Sequence, residues 1–165
     1  MLVVVSDASP IHYLALIGES ELLPALYGSV LIPDSVAAEL THLRTPEVVK
    51  QWIGGRPAWL EVARPTQPPS DVMAHLDRGE RDALLLAIET KADLVLMDER
   101  DGVEEAARLG LRVTGTLGVL DQAATKELID LPSALNRLRA TNFRVSPVLL
   151  EGLLADHALR RRKSK

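Results

Sequence analysis

The chain contains no cysteine. Disulfides and thiolate metal ligands are excluded together, and a reducing cytosol is the simplest compartment for it. Aromatic residues make up only 3% of the sequence. The core must therefore be built from Leu, Val, Ile and Ala, and stacking platforms for nucleobases are not expected. No apolar run approaches the ~20 residues of a membrane-spanning helix, and no cationic-then-apolar leader precedes the first hydrophobic stretch. A cytoplasmic protein without membrane contact is the expectation. Excess positive charge is missing too: the net charge is −4, which argues against a general nucleic-acid coat. Basic residues concentrate at one place, Arg160-Arg161-Arg162-Lys163-Ser164-Lys165. That cluster reads as a solvated, frayed tail or as an arm that attracts phosphate. His12, His42, His75 and His157 show no ligand spacing, so surface or capping roles are expected of them.

The 165 residues, 47% hydrophobic and 25% charged, suit one packed domain. A core over about 3–128 is expected, with two C-terminal helices over 132–161 and the basic tail at 160–165. The chain opens with Val3-Val4-Val5-Ser6-Asp7-Ala8-Ser9-Pro10. β-Branched valines predict a short buried strand that stops at Asp7. Ser9 then offers an N-cap hydroxyl, and Pro10 suits a first helical position. A short helix runs to Ile17 and closes at Gly18. Val30-Leu31-Ile32 is a second strand, followed by a helix from Pro33 to Leu43 that carries Glu39. Leu60-Glu61-Val62 reads as a short edge strand, and the proline-rich stretch from Arg64 to Ser70 as a loop.

A helix over Gly79–Lys91 follows, with Glu80 and Asp82 in its first turn, where acids meet the positive end of the helix dipole. Two residues apart on a helix is roughly 200° in angle, so only one of the pair can face a given site. Leu94-Val95-Leu96-Met97 is a third strand, and it stops at Asp98. Leu111-Arg112-Val113 is a fourth, and Gly115-Thr116-Leu117-Gly118 marks a close turn at the sheet edge rather than a dinucleotide loop. Short apolar strands alternating with helices predict an α/β fold: a three-layer sandwich with a mainly parallel, about four-stranded sheet.

Two buried strands thus end in the same way, VVVSD at Asp7 and LVLMD at Asp98. A parallel strand does not need an acid at its exit, but the carboxyl ends of such strands are where sites form. Glu39 and the Glu80/Asp82 pair lie on flanking helices. Carboxylates gathered there would repel and raise one another's pKa, and a cation relieves that conflict. Oxygen ligands without Cys or paired His favour Mg²⁺ or Mn²⁺. Such a centre suits phosphodiester hydrolysis. A phosphoacceptor module of receiver type is a different reading. It requires a lysine after a late strand, and the nearby Lys126 falls inside a predicted helix.

In this order and spacing, SDASPI (6–11), PDSVAAEL (33–40), GERDALLLA (79–87), LVLMDE (94–99) and LGLRVTGTLGVL (109–120) resemble a PIN-domain protein of the group similar to VapC-type toxin nucleases. The resemblance implies a PIN-like sandwich and a Mg²⁺- or Mn²⁺-dependent ribonuclease with four acids. These carry over as Asp7, Glu39, Asp82 and Asp98, with Glu80 in reserve for Asp82. Ser6, Ser9 and Thr116 become candidates for hydrogen bonds behind the acids. Glu99 stands where many relatives have a second aspartate. The resemblance further implies an RNA substrate, a homodimer and a small antitoxin partner. A catalytically degenerate PIN fold, kept for binding RNA or protein, is the alternative.

Overall fold

The computed structural model describes residues 2–163. Ser164 and Lys165 of the basic cluster lie outside the described residues. The chain divides into two compact units, Met1–Thr116 and Leu117–Lys165. The expected core limit near residue 128 thus falls within the second unit, twelve residues beyond the end of the sheet-bearing one.

The first unit carries β1 (Val4–Ser6), α1 (Ala8–Leu16), α2 (Leu22–Tyr27), β2 (Val30–Pro33), α3 (Asp34–Leu40), α4 (Glu47–Gly54) and β3 (Leu60–Ala63). After a 3₁₀ turn at Asp71–Met73 come α5 (Arg78–Thr90), β4 (Leu94–Leu96), α6 (Arg100–Arg108) and β5 (Val113–Thr114). The strands form one five-stranded, all-parallel sheet in the order β3-β2-β1-β4-β5. The expected architecture forms, with one more strand than anticipated. Leu60–Ala63 pairs residue for residue with Val30–Pro33 and becomes a full edge strand. Its exposed Glu61 suits an edge, where one flank meets water.

The sheet's middle is apolar on both faces, as a parallel sheet requires. Val5, Ile32, Val95, Leu96 and Met97 are fully buried. Helix α5 supplies the largest share of what covers them. Its Ala83, Leu84, Leu86 and Ala87 are buried in one cluster with Val5, Val95 and Met97, and α5 packs on β1, β2 and β4. Gly18 and Gly110 adopt positive φ, +78° and +76°, just past the ends of α1 and α6. Only glycine takes that conformation freely, so α1 stops where expected, at Gly18, and α6 ends in the same way at Gly110.

The second unit holds α7, which begins at the junction (Thr116–Thr125), α8 (Leu131–Arg139) and α9 (Pro147–Lys163). Asp130 caps α8 through the Ser133 N–H at 3.0 Å. The expected frayed tail is helical through Lys163, and Arg160 holds Asp121 at 2.7 Å. No helix among the described residues is long and apolar enough to cross a membrane.

Because α5 fixes the sheet from above β1 and β4, truncation there acts on the whole first unit. Leu84→Ala removes a fully buried side chain and is expected to cost about 2–5 kcal/mol. Urea denaturation followed by circular dichroism measures it; a midpoint equal to wild type would show that α5 is not the main brace.

Candidate functional site

In the order β3-β2-β1-β4-β5, the chain winds one way from β1 and then returns to β1's other side. The switch point therefore lies between β1 and β4, and ligands bind outside the carboxyl ends of strands at such points. Asp7 follows β1 directly and Asp98 follows β4 by two residues. The Asp7 N–H extends the ladder to the Leu96 carbonyl at 2.9 Å, and the Met97 N–H reaches the Thr114 carbonyl at 3.0 Å. Backbone pairing thus brings the ends of β1 and β4, from which the two acids leave, to the same edge of the sheet.

Helix α1 begins at Ala8, two residues earlier than a Ser9 cap allows. Asp7 takes the N-cap position in an extended conformation, and its side chain makes no capping bond. Ser9 is spent elsewhere: its hydroxyl donates to Asp98 Oδ2 at 2.6 Å. Thr116 donates twice to the same carboxylate, from its N–H to Oδ1 at 2.7 Å and from its hydroxyl to Oδ2 at 2.7 Å. Three donors fix the orientation of Asp98. Gly115 leaves room for it, since a Cβ there would stand 2.7 Å from Asp98 Oδ1. Ser6 plays a different part, donating to the backbone carbonyl of Asp7 at 2.8 Å rather than to its carboxylate.

Asp7 is only 4% exposed. Burial drives its pKa from an ordinary 3.8 to about 8; the Ala8 N–H opposes the shift, and the negative charges of Asp77, Glu39 and Glu80 add to it. Burial and Asp77 likewise raise Glu39, against a small opposing effect of His42. Glu80 is raised by burial and then by Asp77, with Glu99 and Asp101 contributing. The group is held together at Gly79. A Cβ on that residue would lie 3.0 Å from Glu39 Oε2 and 3.2 Å from Asp7 Oδ1. The absence of a side chain at Gly79 lets the start of α5 approach both acids without crowding them.

The first turn of α5 resolves which acid faces the group. Asp77 and Glu80 form a reciprocal capping box: the Asp77 carboxylate accepts the Glu80 N–H at 2.8 Å, and Glu80 accepts the Asp77 N–H at 3.2 Å. Both carboxylates therefore sit at the end of the helix nearest Asp7. Asp82 does not join them. Its carboxylate accepts the Ser35 hydroxyl at 2.7 Å and stands 3.8 Å from Arg78 Nε and 4.0 Å from Arg81 Nε. The structure thus sets Glu80, the reserve candidate, beside Asp7 and Asp77, and turns Asp82, the first candidate, toward Ser35 and the arginines, as residues two apart on a helix require. Asp77 was not anticipated. Its signal was in the sequence as an Asp three residues before Glu80, the spacing of a capping box. Tyr13 of α1 is a second unanticipated neighbour: burial, Asp98 and Glu99 hold its hydroxyl protonated above the usual range.

The donors are carboxylate oxygens in a partly buried setting, the chemistry of a hard divalent cation. A cation would also relieve the repulsion that lifts Asp7, Glu39 and Glu80 together. Asp7 and Glu39, meeting at Gly79, are the pair best placed to hold one. Among the described residues, no three carboxylates or imidazoles already stand as a ligand cluster. The acids share one end of the sheet without forming a closed cage.

No curated protein matches the chain. A solved structure, that of a PilT N-terminus domain protein from the hyperthermophilic archaeon Sulfolobus solfataricus P2, aligns with 88% of this chain and 100% of its own. The identity is 17% and the TM-score 0.47. A family model described as DUF3368: PIN domain matches residues 3–158. That span includes every strand of the sheet and every acid described above, and the chain belongs to this PIN domain family.

Proposed function

We propose that the protein is a metal-dependent ribonuclease that hydrolyses phosphodiester bonds of RNA in the cytosol. PIN domains are a nuclease-type fold family, and the observation that carries the finer reading is the burial of Asp7 among Asp77, Glu39 and Glu80 at the switch point. An acid so placed is a poor structural element and a good cation ligand. Mg²⁺ or Mn²⁺, when bound, would supply the positive charge that polarises the phosphate and activates water.

The chain's own groups have separable tasks. Asp7 and Glu39, meeting at Gly79, would hold the cation, with Asp98 and Glu80 completing the acidic wall. Ser9 and Thr116 keep Asp98 in one orientation, which pre-organises it for its ligand. Asp77 sets the start of α5 and so the position of Glu80. Helix α5 and the buried strands exclude bulk water from behind the acids, which strengthens their hold on charge.

The further reading, that this is the toxin of a toxin–antitoxin pair, homodimeric and silenced by a small antitoxin protein, rests on the VapC-like motifs of the sequence. A binding module without catalysis is the second reading. It draws on the lack, among the described residues, of three acids already clustered, and tight RNA binding with no turnover would establish it.

Incubation with RNA and Mn²⁺ or Mg²⁺ is expected to give cleavage that EDTA abolishes. Asp7→Asn and Asp98→Asn should lower the rate at least ~100-fold, the scale of removing one electrostatic partner. Glu80→Gln should impair cleavage more than Asp82→Asn. Cleavage that persists in EDTA, or is indifferent to Asp7, would remove the proposal.

Metal and pH act on the same acid, and stability reads both. Folded Asp7 keeps its proton up to about 8, whereas the unfolded group loses it near 3.8. Between those values the folded state binds more protons, so Asp7's contribution falls as pH rises. In EDTA, the wild type should lose stability relative to Asp7→Asn on going from pH 5 to pH 8. Mn²⁺ at pH 8 should raise the melting temperature of the wild type but not of the variant. Parallel melting curves for the two proteins at all pH values would contradict the buried-acid account.

The toxin reading has its own test. Expression of the chain alone should slow growth, and Asp98→Asn should not. Equal growth of both strains would dismiss it.

A further inference from the structure

The acids occupy one part of the sheet's carboxyl edge, and arginines occupy the next. β2 ends at Pro33 and β3 at Ala63, paired in register, so Asp34 and Arg64 leave the sheet side by side. Arg64 Nε donates to Asp34 at 2.9 Å. Arg78 also acts on Asp34, helping Arg64 to hold its carboxyl below the usual range. Together with Arg81 and Asp82 these residues line an open cleft of about 340 Å³. Three guanidinium groups face two carboxylates there, an excess of positive charge in a chain whose net charge is −4.

The internal pairing is incomplete. Asp82 stands 3.8 Å from Arg78 and 4.0 Å from Arg81, beyond hydrogen-bond reach. Arg81 Nε is buried and has no hydrogen-bond partner, so the protein leaves this guanidinium short of acceptors, while the side chain as a whole stays 29% exposed. Asp82 is meanwhile occupied by the Ser35 hydroxyl. A tetrahedral anion would give the arginines acceptors that Asp82 does not. No aromatic side chain lines the cleft, so it is built for backbone phosphate and not for base stacking.

Its position relative to the acids follows from two parallel contacts between α3 and α5. Ser35 of α3 reaches Asp82, and Glu39, four residues on, reaches Gly79. Four residues of helix advance about 6 Å. The cleft therefore lies one helical turn along the same α3–α5 seam that carries the acids.

We infer that the cleft of Arg64, Arg78 and Arg81 grips a backbone phosphate of the RNA strand, flanking the bond presented to Asp7 and Asp98. The inference deepens the ribonuclease reading and rests on it for what lies at the acids. Asp82 acts in this cleft as an internal competitor for the arginines, which gives a role to the acid that the metal site does not use.

The test is binding without turnover. The full chain in EDTA is titrated into a short fluorescein-labelled single-stranded RNA, and anisotropy is followed across a range of salt. Arg78→Gln with Arg81→Gln should weaken binding about tenfold or more. The same pair should flatten the salt dependence by roughly 0.7 for one phosphate no longer neutralised. Asp82→Asn should shift affinity the opposite way, which a merely structural role would not do. Arg78→Gln alone guards against misfolding, because that side chain is 73% exposed and leaves the helix intact. Unchanged affinity and salt slope in the arginine variants, with an unchanged melting temperature, overturns the inference. Weaker binding after Asp82→Asn does so as well. If the arginine variants lose RNA while the wild type fails to cleave with Mn²⁺, the cleft stands and the ribonuclease reading falls. If cleavage is normal and the arginine variants bind as the wild type does, the reverse holds.

Discussion

A carboxylate buried beside other carboxylates is the constraint around which this chain is arranged. Asp7 is fixed at its depth by backbone alone: β1 cannot stop earlier without losing the ladder to Leu96, and α1 cannot begin later without unpairing its first turn. Its neighbours then determine its chemistry. Each named charge acting on it, from Asp77, Glu39 and Glu80, is negative. Below about pH 8 the acid escapes the cost of a buried charge by keeping its proton, and ionising it without a cation opposes folding. The fold tolerates it because the apolar contacts of α5 with Val5, Val95 and Met97 stabilise the same region far more strongly.

Much of this was legible because backbone periodicity and caps are local. Valine runs, the helix-closing glycines at 18 and 110, and the acids at strand exits all act within a few residues of where they stand. The parallel sheet and the position of Asp7 and Asp98 follow from such signals. What escaped was set by distant partners. Ser9 reads as a cap from its neighbours, and only the PIN resemblance made it a candidate for a hydrogen bond behind an acid; that the acid is Asp98, remote in the chain, was set by the fold. The PIN resemblance put Asp82 ahead of Glu80, but nothing local to the helix separates the two acids. Only the approach of Ser35 on one side and of Asp7 on the other distinguishes them. Leu60–Ala63 looked marginal because an edge strand's stability comes from its neighbour, not from its own residues.

Small residues shape the acidic end as much as the acids do. Gly79 admits two carboxylates to one point, and Gly115 admits the Asp98 carboxylate against the backbone. Both positions have ordinary backbone conformations, since neither is among the glycines with positive φ. Their requirement is for space. The glycine in GERD therefore does what its neighbours cannot: it lets a helix terminus close on charged groups without displacing them. A methyl group at Gly115 would force the Asp98 carboxylate to shift, and one at Gly79 would crowd Glu39, Asp7 and the buried Val36 together.

The first turn of α5 explains how one short segment serves two charge environments. Successive residues of a helix are turned by about 100°. Gly79 and Glu80 consequently face Asp7 and Glu39, while Arg78, Arg81 and Asp82 look toward Asp34 and Arg64. α3 mirrors the division, with Glu39 on one contact and Ser35 on the other. Acid and arginine regions are thus separated by helix geometry and not by chain length. Sliding α5 by one residue along α3 would exchange them, placing guanidinium groups against Asp7. The buried row Ala83, Leu84, Leu86 and Ala87 opposes that slip, since one residue of register would turn it about 100° away from the sheet. The capping box at Asp77 and Glu80, worth about 1 kcal/mol by itself, agrees with the register that core packing sets, and the two together decide which charges face the switch point.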